Sequence, residues 1–174
     1  MKDHVVSINR APVLTLWASV VAERLGFDRD EALSLGKTVA GLTAQSKGRR
    51  LGIFKPGKDK GKKPPDTKRE ERFLVELCGR GVPAVDTPDG VRSVNKDKVV
   101  EPESAESYLE KKFGDSLEPV RDAMFELAES FDDEELADRA FKLYEGFRPD
   151  IPAGKRGWGA KGDLSTKKIR ALRG

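Results

Sequence analysis

Arg10-Ala11-Pro12-Val13-Leu14-Thr15-Leu16-Trp17-Ala18-Ser19-Val20-Val21-Ala22-Glu23-Arg24-Leu25-Gly26-Phe27-Asp28-Arg29-Asp30-Glu31 is the stretch that decides the fold. Pro12 suits a first helical turn, where its missing N–H costs nothing, and Asn9 just ahead can cap that turn. Val13, Trp17, Val20, Val21 and Leu25 recur at helical spacing, which predicts a helix with a buried face. Gly26 is placed to stop it, because a helix C-terminus favours a residue that takes a positive φ. Asp28 and Glu31 then fit a capping box, in which each side chain accepts from the other residue's amide. A second helix follows through Leu33, Leu35, Val39, Ala40 and Leu42 and is expected to fade near Ser46. Gly36 and Gly41 lower its propensity, so their expected role is close packing against the first helix. Residues 1–46 therefore read as an N-terminal helical hairpin.

Downstream the character changes. Between Lys47 and Arg69 ten basic residues (Lys47, Arg49, Arg50, Lys55, Lys58, Lys60, Lys62, Lys63, Lys68, Arg69) face only Asp59 and Asp66, a net charge of +8. Pro56, Gly57, Gly61, Pro64 and Pro65 interrupt this run and leave almost nothing to bury, so 47–70 reads as a basic flexible loop. Residues 71–100 read as a small antiparallel β-meander. Phe73, Val75 and Leu77 alternate, Val82 and Val85 start a second strand, and Val91 to Val94 a third. Thr87-Pro88-Asp89-Gly90 supplies a tight turn, and a helix is expected to cover one face of the sheet.

Helices return in an acidic section, 101–150, where sixteen acidic residues oppose six basic ones, a net charge of −10. Tyr108, Leu109 and Phe113 line one helix, ended by Gly114. Asp115 and Glu118 suggest a further capping box ahead of Val120, Met124, Phe125, Leu127 and Ala128. The acids Asp132 to Glu135 suit the N-terminus of a third helix carrying Leu136, Ala140, Phe141, Leu143 and Tyr144 to Gly146. The tail, 151–174, is glycine-rich and basic again, with a net charge of +6. Ser165 to Leu172 are expected to form one short basic helix. The fold class predicted is α+β and helix-dominant. The modest hydrophobic fraction, 37% against 36% charged, favours one shared core over two.

The chain contains little that could do chemistry. His4 and Cys78 are the sole histidine and cysteine, too few for a zinc site or for the usual nucleophile–histidine triads. His4 is expected at an exposed terminus and Cys78 as a small buried hydrophobe. Gly157-Trp158-Gly159-Ala160-Lys161-Gly162 matches G-x-G-x-x-G by letter. It has Pro149, Pro152 and Gly154 where the dinucleotide motif needs a strand, and the sequence stops before the acidic ribose ligand. The lysines of Gly57 to Lys63 lack the glycine spacing and hydroxyl of a phosphate loop. No catalytic residue, cofactor or metal is expected, and no run approaches the roughly twenty apolar residues of a membrane span. One cysteine cannot form an internal disulfide, and the cytoplasm is the default location.

The basic segments carry the functional expectation. Such arms attract a polyanion over roughly 8–10 Å and hold phosphates without reading sequence. The expected nucleic-acid-binding residues are Lys47, Arg49, Arg50, Lys55, Lys58, Lys60, Lys62 and Lys63 in the first segment. In the second they are Lys155, Arg156, Trp158 and Lys161, with Trp158, like Phe54, able to stack on a base. DNA and RNA remain open as partners, and so do an acidic protein partner, simple solvation, or pairing of the basic arms with the chain's own acidic section. The alternative function is a protein–protein adaptor, and the oligomeric state is not readable.

Ser7-Ile8-Asn9-Arg10-Ala11-Pro12 through Ala22-Glu23-Arg24-Leu25-Gly26-Phe27, together with Lys155-Arg156-Gly157-Trp158-Gly159-Ala160-Lys161-Gly162, resembles a family of uncharacterised bacterial proteins. The resemblance extends over most of the chain. It implies a bacterial cytoplasmic protein, carries no functional residues with it, and speaks against reading the basic runs as nuclear localisation signals.

Overall fold

The computed structural model describes residues 4–50, 73–95, 98–149 and 161–173, and of residues 42–50 and Asn95 it describes the backbone alone. The chain opens on a strand, β1 (Val5–Asn9), that runs directly into helix α1 (Arg10–Arg24), and α2 (Arg29–Arg50) doubles back on α1. Every residue of α1 from Ala11 to Ala22 is buried. This is the run whose apolar residues leave no polar face, and a helix apolar on all sides belongs at the centre of its fold. It meets α2 on one side and the later helices and sheet on the others. Thr15 and Ser19 are tolerated there because their hydroxyls donate to the carbonyls of Ala11 (3.0 Å) and Leu16 (2.7 Å).

The hairpin turn has the expected chemistry. Gly26 sits at φ +118°. The Glu31 amide donates to Asp28 Oδ1 at 2.8 Å and the Asp28 amide to Glu31 Oε1 at 3.0 Å, which completes the capping box. At Gly36 the two helices approach closely: a Cβ there would lie 2.7 Å from the Thr15 carbonyl oxygen and 2.9 Å from the Ser19 nitrogen. Two features differ from expectation. Asn9 occupies the cap position but its side chain makes no capping bond. Helix α2 does not fade near Ser46 but continues to Arg50, because lysine and arginine are good helix formers in their own right.

Strands β2 (Phe73–Leu77), β3 (Arg80–Thr87), β4 (Gly90–Asn95) and β5 (Lys98–Val99) form an antiparallel meander in chain order, one short strand more than expected. Cys78 and Gly79 make the first turn, both at positive φ (50° and 76°), the geometry that matches the twist of a two-residue hairpin. The Cys78 thiol is buried, and burial pushes its pKa up to about 12, so it stays protonated and inert as a small core group. At the second turn the Thr87 hydroxyl donates to the Gly90 carbonyl (2.8 Å), with Gly90 at φ +120°. Helix α2 covers one face. The Ser93 amide donates to Ser34 Oγ (2.8 Å), the Ser93 hydroxyl to the Ser34 carbonyl (2.6 Å), and the Ser34 hydroxyl to the Val100 carbonyl (2.6 Å). Glu31 extends this seam, since its Oε2 accepts from the Val91 amide at 2.8 Å.

The acidic section folds as α3 (Pro102–Phe113), a 3-10 turn (Gly114–Ser116), α4 (Leu117–Glu129) and α5 (Asp133–Phe147). Asp132 caps α5 by accepting from the Glu135 amide at 2.8 Å. The box expected from Asp115 and Glu118 does not form. The 3-10 turn feeds α4 with its cap residue, Ser116, already in helical geometry and making no side-chain cap bond, so Asp115 sits inside a turn and not at the extended cap position that a box requires. Gly146 lies one residue inside α5 rather than past its end, where Leu172 needs its missing side chain: a Cβ would stand 2.9 Å from Leu172 Cδ1.

The tail closes the fold. β6 (Lys161–Ser165) pairs antiparallel with β1, from Val5↔Ser165 to Asn9↔Lys161, and α6 (Thr166–Arg170) follows. The basic helix expected over Ser165–Leu172 is thus shorter, with Ser165 as its cap. His4 is not the exposed terminal residue expected. Its amide donates to Thr166 Oγ1 (2.9 Å), and its Nε2 lies 2.7 Å from Ser116 Oγ. One apolar cluster runs from Ile8 on β1 through α1, α2, the sheet and α3–α5 to Leu164 and Ile169. Among the described residues no helix is long and apolar enough to cross a membrane.

Candidate nucleic-acid interface

The expected site residues divide by where they fall. Lys55, Lys58, Lys60, Lys62, Lys63, Lys155, Arg156 and Trp158 lie outside the described residues. Lys47, Arg49 and Arg50 belong to the last turns of α2, where the backbone is helical. Lys161 opens β6, is exposed, and has no ion-pair partner among the described residues.

The elements that carry these segments converge. Gly36 against Thr15 and Ser19 fixes the antiparallel register of α1 and α2, so the first residue of α1 lies level with residues near 43. The remaining turns of α2 therefore run past the N-terminus of α1 by about 10 Å at 1.5 Å per residue. The second basic segment departs from and returns to that same N-terminus. At its start the Arg10 guanidinium donates through Nε to the Pro149 carbonyl at 2.9 Å. At its end Lys161 is the register partner of Asn9. Both basic runs thus spring from one end of the hairpin.

Two further cations sit at that end. Arg148 stacks over the Tyr144 ring with its guanidinium carbon 6.0 Å from the ring centroid, and Tyr144 donates to the Arg10 carbonyl at 3.5 Å. Burial pushes the Tyr144 hydroxyl up to about 12, outweighing Arg148 and Arg10, so it remains a neutral donor. The first turn of α1 holds no acid, and a helix N-terminus carries the positive pole of the helix dipole. Sequence reasoning missed Arg10 and Arg148. Arg10 stands alone before an apolar run and Arg148 lies in the acidic section, so no charge run marks either.

Several arginines pair with carboxylates within the fold. Arg121, 7% exposed, binds Glu106 through both guanidinium nitrogens, closest at 3.0 Å, and Arg29 reaches the same carboxylate at 3.0 Å. Glu23 lies beside this cluster with its pKa raised, because desolvation outweighs the pull of Arg29 and Arg121. Arg24 pairs with Asp133 at 2.9 Å. In the tail, Arg170 binds Glu126 at 2.7 Å and Arg173 reaches the other oxygen of that carboxylate at 3.7 Å. Pairing between the basic tail and the acidic section is therefore real for Arg170 and Arg173, though it does not involve Lys161. Among the described residues no group of histidine, cysteine and carboxylates is arranged to hold a metal.

No family model, curated protein or solved structure matches the chain. What stands on the structure is the class: a helix-dominant α+β protein with an N-terminal helical pair, antiparallel sheets and C-terminal helices.

Proposed function

We propose that this protein binds the backbone of DNA or RNA, without catalysis and without reading sequence, through its two basic segments. The supporting observation is the common origin of those segments. The end of α2, Pro149 and Lys161 all gather at the N-terminus of α1, so the run of net charge +8 and the first part of the basic tail, which carries Lys155, Arg156 and Lys161, spring from one end of the molecule, while Arg170 and Arg173 pair with Glu126. Charge concentrated in this way attracts phosphates, whereas the same charge dispersed would only solubilise. The setting that goes with this reading is the bacterial cytoplasm, on the strength of the family resemblance and a single cysteine.

Neutralising Arg49, Arg50, Lys62 and Lys63 together is expected to weaken binding alike for all nucleic-acid sequences. It should also flatten the salt dependence by about 0.7–0.9 logarithmic units for each phosphate no longer neutralised. Titrations of the quadruple variant across a salt series check this. Binding that persists with an unchanged salt slope contradicts it and turns attention to the adaptor reading, for which size-exclusion with light scattering at low and high salt is the next measurement.

A further inference from the structure

Where the tail docks on α4, one carboxylate bridges two arginines. α4 and α6 form the walls of a shallow cleft lined by Glu126, Glu129, Ser130, Arg170, Ala171 and Arg173. Within it the two oxygens of Glu126 are divided between two arginines: Oε2 accepts from Arg170 Nε at 2.7 Å, and Oε1 lies 3.7 Å from a terminal nitrogen of Arg173. A planar anion bridging two guanidinium groups is the arrangement by which arginine pairs also recognise phosphate. The Arg173 side of the site is open to exchange, since the side chains of Arg173 and Glu126 are 51% and 36% exposed, while Arg170 is 18% exposed. An ion pair with this exposure is held weakly and screened by salt. The segment that carries the arginines, α6 and the residues just after it, is anchored independently of it, by buried Ile169 and by Leu172 over Gly146.

We propose that Glu126 is an internal competitor for polyanion, an autoinhibitory contact that occupies Arg170 and Arg173 until a phosphate backbone displaces it. This inference rests on the nucleic-acid reading above. Binding then recruits two further cations beyond the +8 arm.

The test is fluorescence anisotropy of labelled single-stranded DNA with wild-type protein, Glu126→Gln, and Glu134→Gln over a salt series, with circular dichroism melts to verify folding. Glu134 is an exposed acid on α5, so its variant carries the same change in net charge. Glu126→Gln is expected to bind several-fold more tightly than Glu134→Gln at low salt. Its salt slope should be steeper by about 0.7 for each arginine released, or up to about 1.4 for both. Adding Arg170→Gln and Arg173→Gln to Glu126→Gln should remove that gain. Wild-type protein that binds while Glu126→Gln merely equals Glu134→Gln overturns the inference and leaves the nucleic-acid reading intact. Wild-type protein that fails to bind at low salt overturns both.

Discussion

Trp17→Ala is expected to destabilise the protein by about 3–5 kcal/mol, the range for removing a fully buried aromatic. The side chain has no solvent exposure and stands at the middle of α1. Its indole N–H donates to the Ala140 carbonyl at 2.8 Å, and its ring meets that of Phe147 edge to face at 5.3 Å between centroids. Truncation removes three things together: apolar area, an aromatic pair and a buried hydrogen bond linking α1 to α5. Since small domains are stable by only about 5–15 kcal/mol, the variant should lose a large part of its margin. Urea denaturation followed by circular dichroism measures this. Trp17→Phe should cost less, because it keeps most of the volume. A loss below about 1 kcal/mol in Trp17→Ala would contradict the placement of α1 at the centre of the core.

Gly36→Ala is the second large effect, and its sign runs against local propensity. In an exposed helix the change would stabilise by about 1 kcal/mol. Here the new methyl would meet backbone atoms of α1 at 2.7 and 2.9 Å, and backbone cannot move aside as a flexible side-chain tip can. The helices must separate, which disturbs the packing along the whole hairpin. A net loss of up to about 2 kcal/mol is expected, the roughly 1–3 kcal/mol of overpacking less the propensity gain of about 1 kcal/mol. Gly26, at φ +118° with open space around it, provides a contrast. Its substitution strains the backbone without a clash and should leave the helix–helix packing in place. A neutral or stabilising Gly36→Ala, by the same denaturation measurement, would mean that the two helices lie farther apart.

Legibility in the sequence follows the range of the interactions. The hairpin and its turn can be read because their chemistry is local: the Asp28–Glu31 box, Gly26 and the packing glycine at Gly36 all act within a few residues or across one short link. The meander is readable from period-two alternation and the Thr87–Gly90 turn for the same reason. The β1–β6 ribbon is not. Its strands have five residues each and are separated by most of the chain; on β1 only Ile8 is fully buried and on β6 the buried positions are Gly162 and Leu164, so neither strand shows a run of alternating apolar side chains. The expectation for His4 fails as a consequence, since its partners Thr166 and Ser116 become neighbours only when the ribbon closes. Asp115 and Glu118 have the spacing of a box without its geometry, because a 3-10 turn forms the entry to α4.

The candidate interface is legible as charge and not as geometry. Counting lysines and arginines locates both basic runs. It does not reveal that α2 carries the first run on a helix to Arg50, or that Arg10 anchors the root of the second. It also does not separate Arg170 and Arg173, which Glu126 holds, from Lys161, which no acid among the described residues holds. Such distinctions depend on tertiary pairing between segments of opposite sign, and composition is blind to it.

The most direct measurement is the anisotropy of labelled random single- and double-stranded DNA and RNA, titrated with the wild-type protein at two salt concentrations. Polyanion binding through the basic end predicts micromolar affinity that falls steeply between roughly 50 and 200 mM salt. No binding at the lower salt, or binding indifferent to salt, would contradict it.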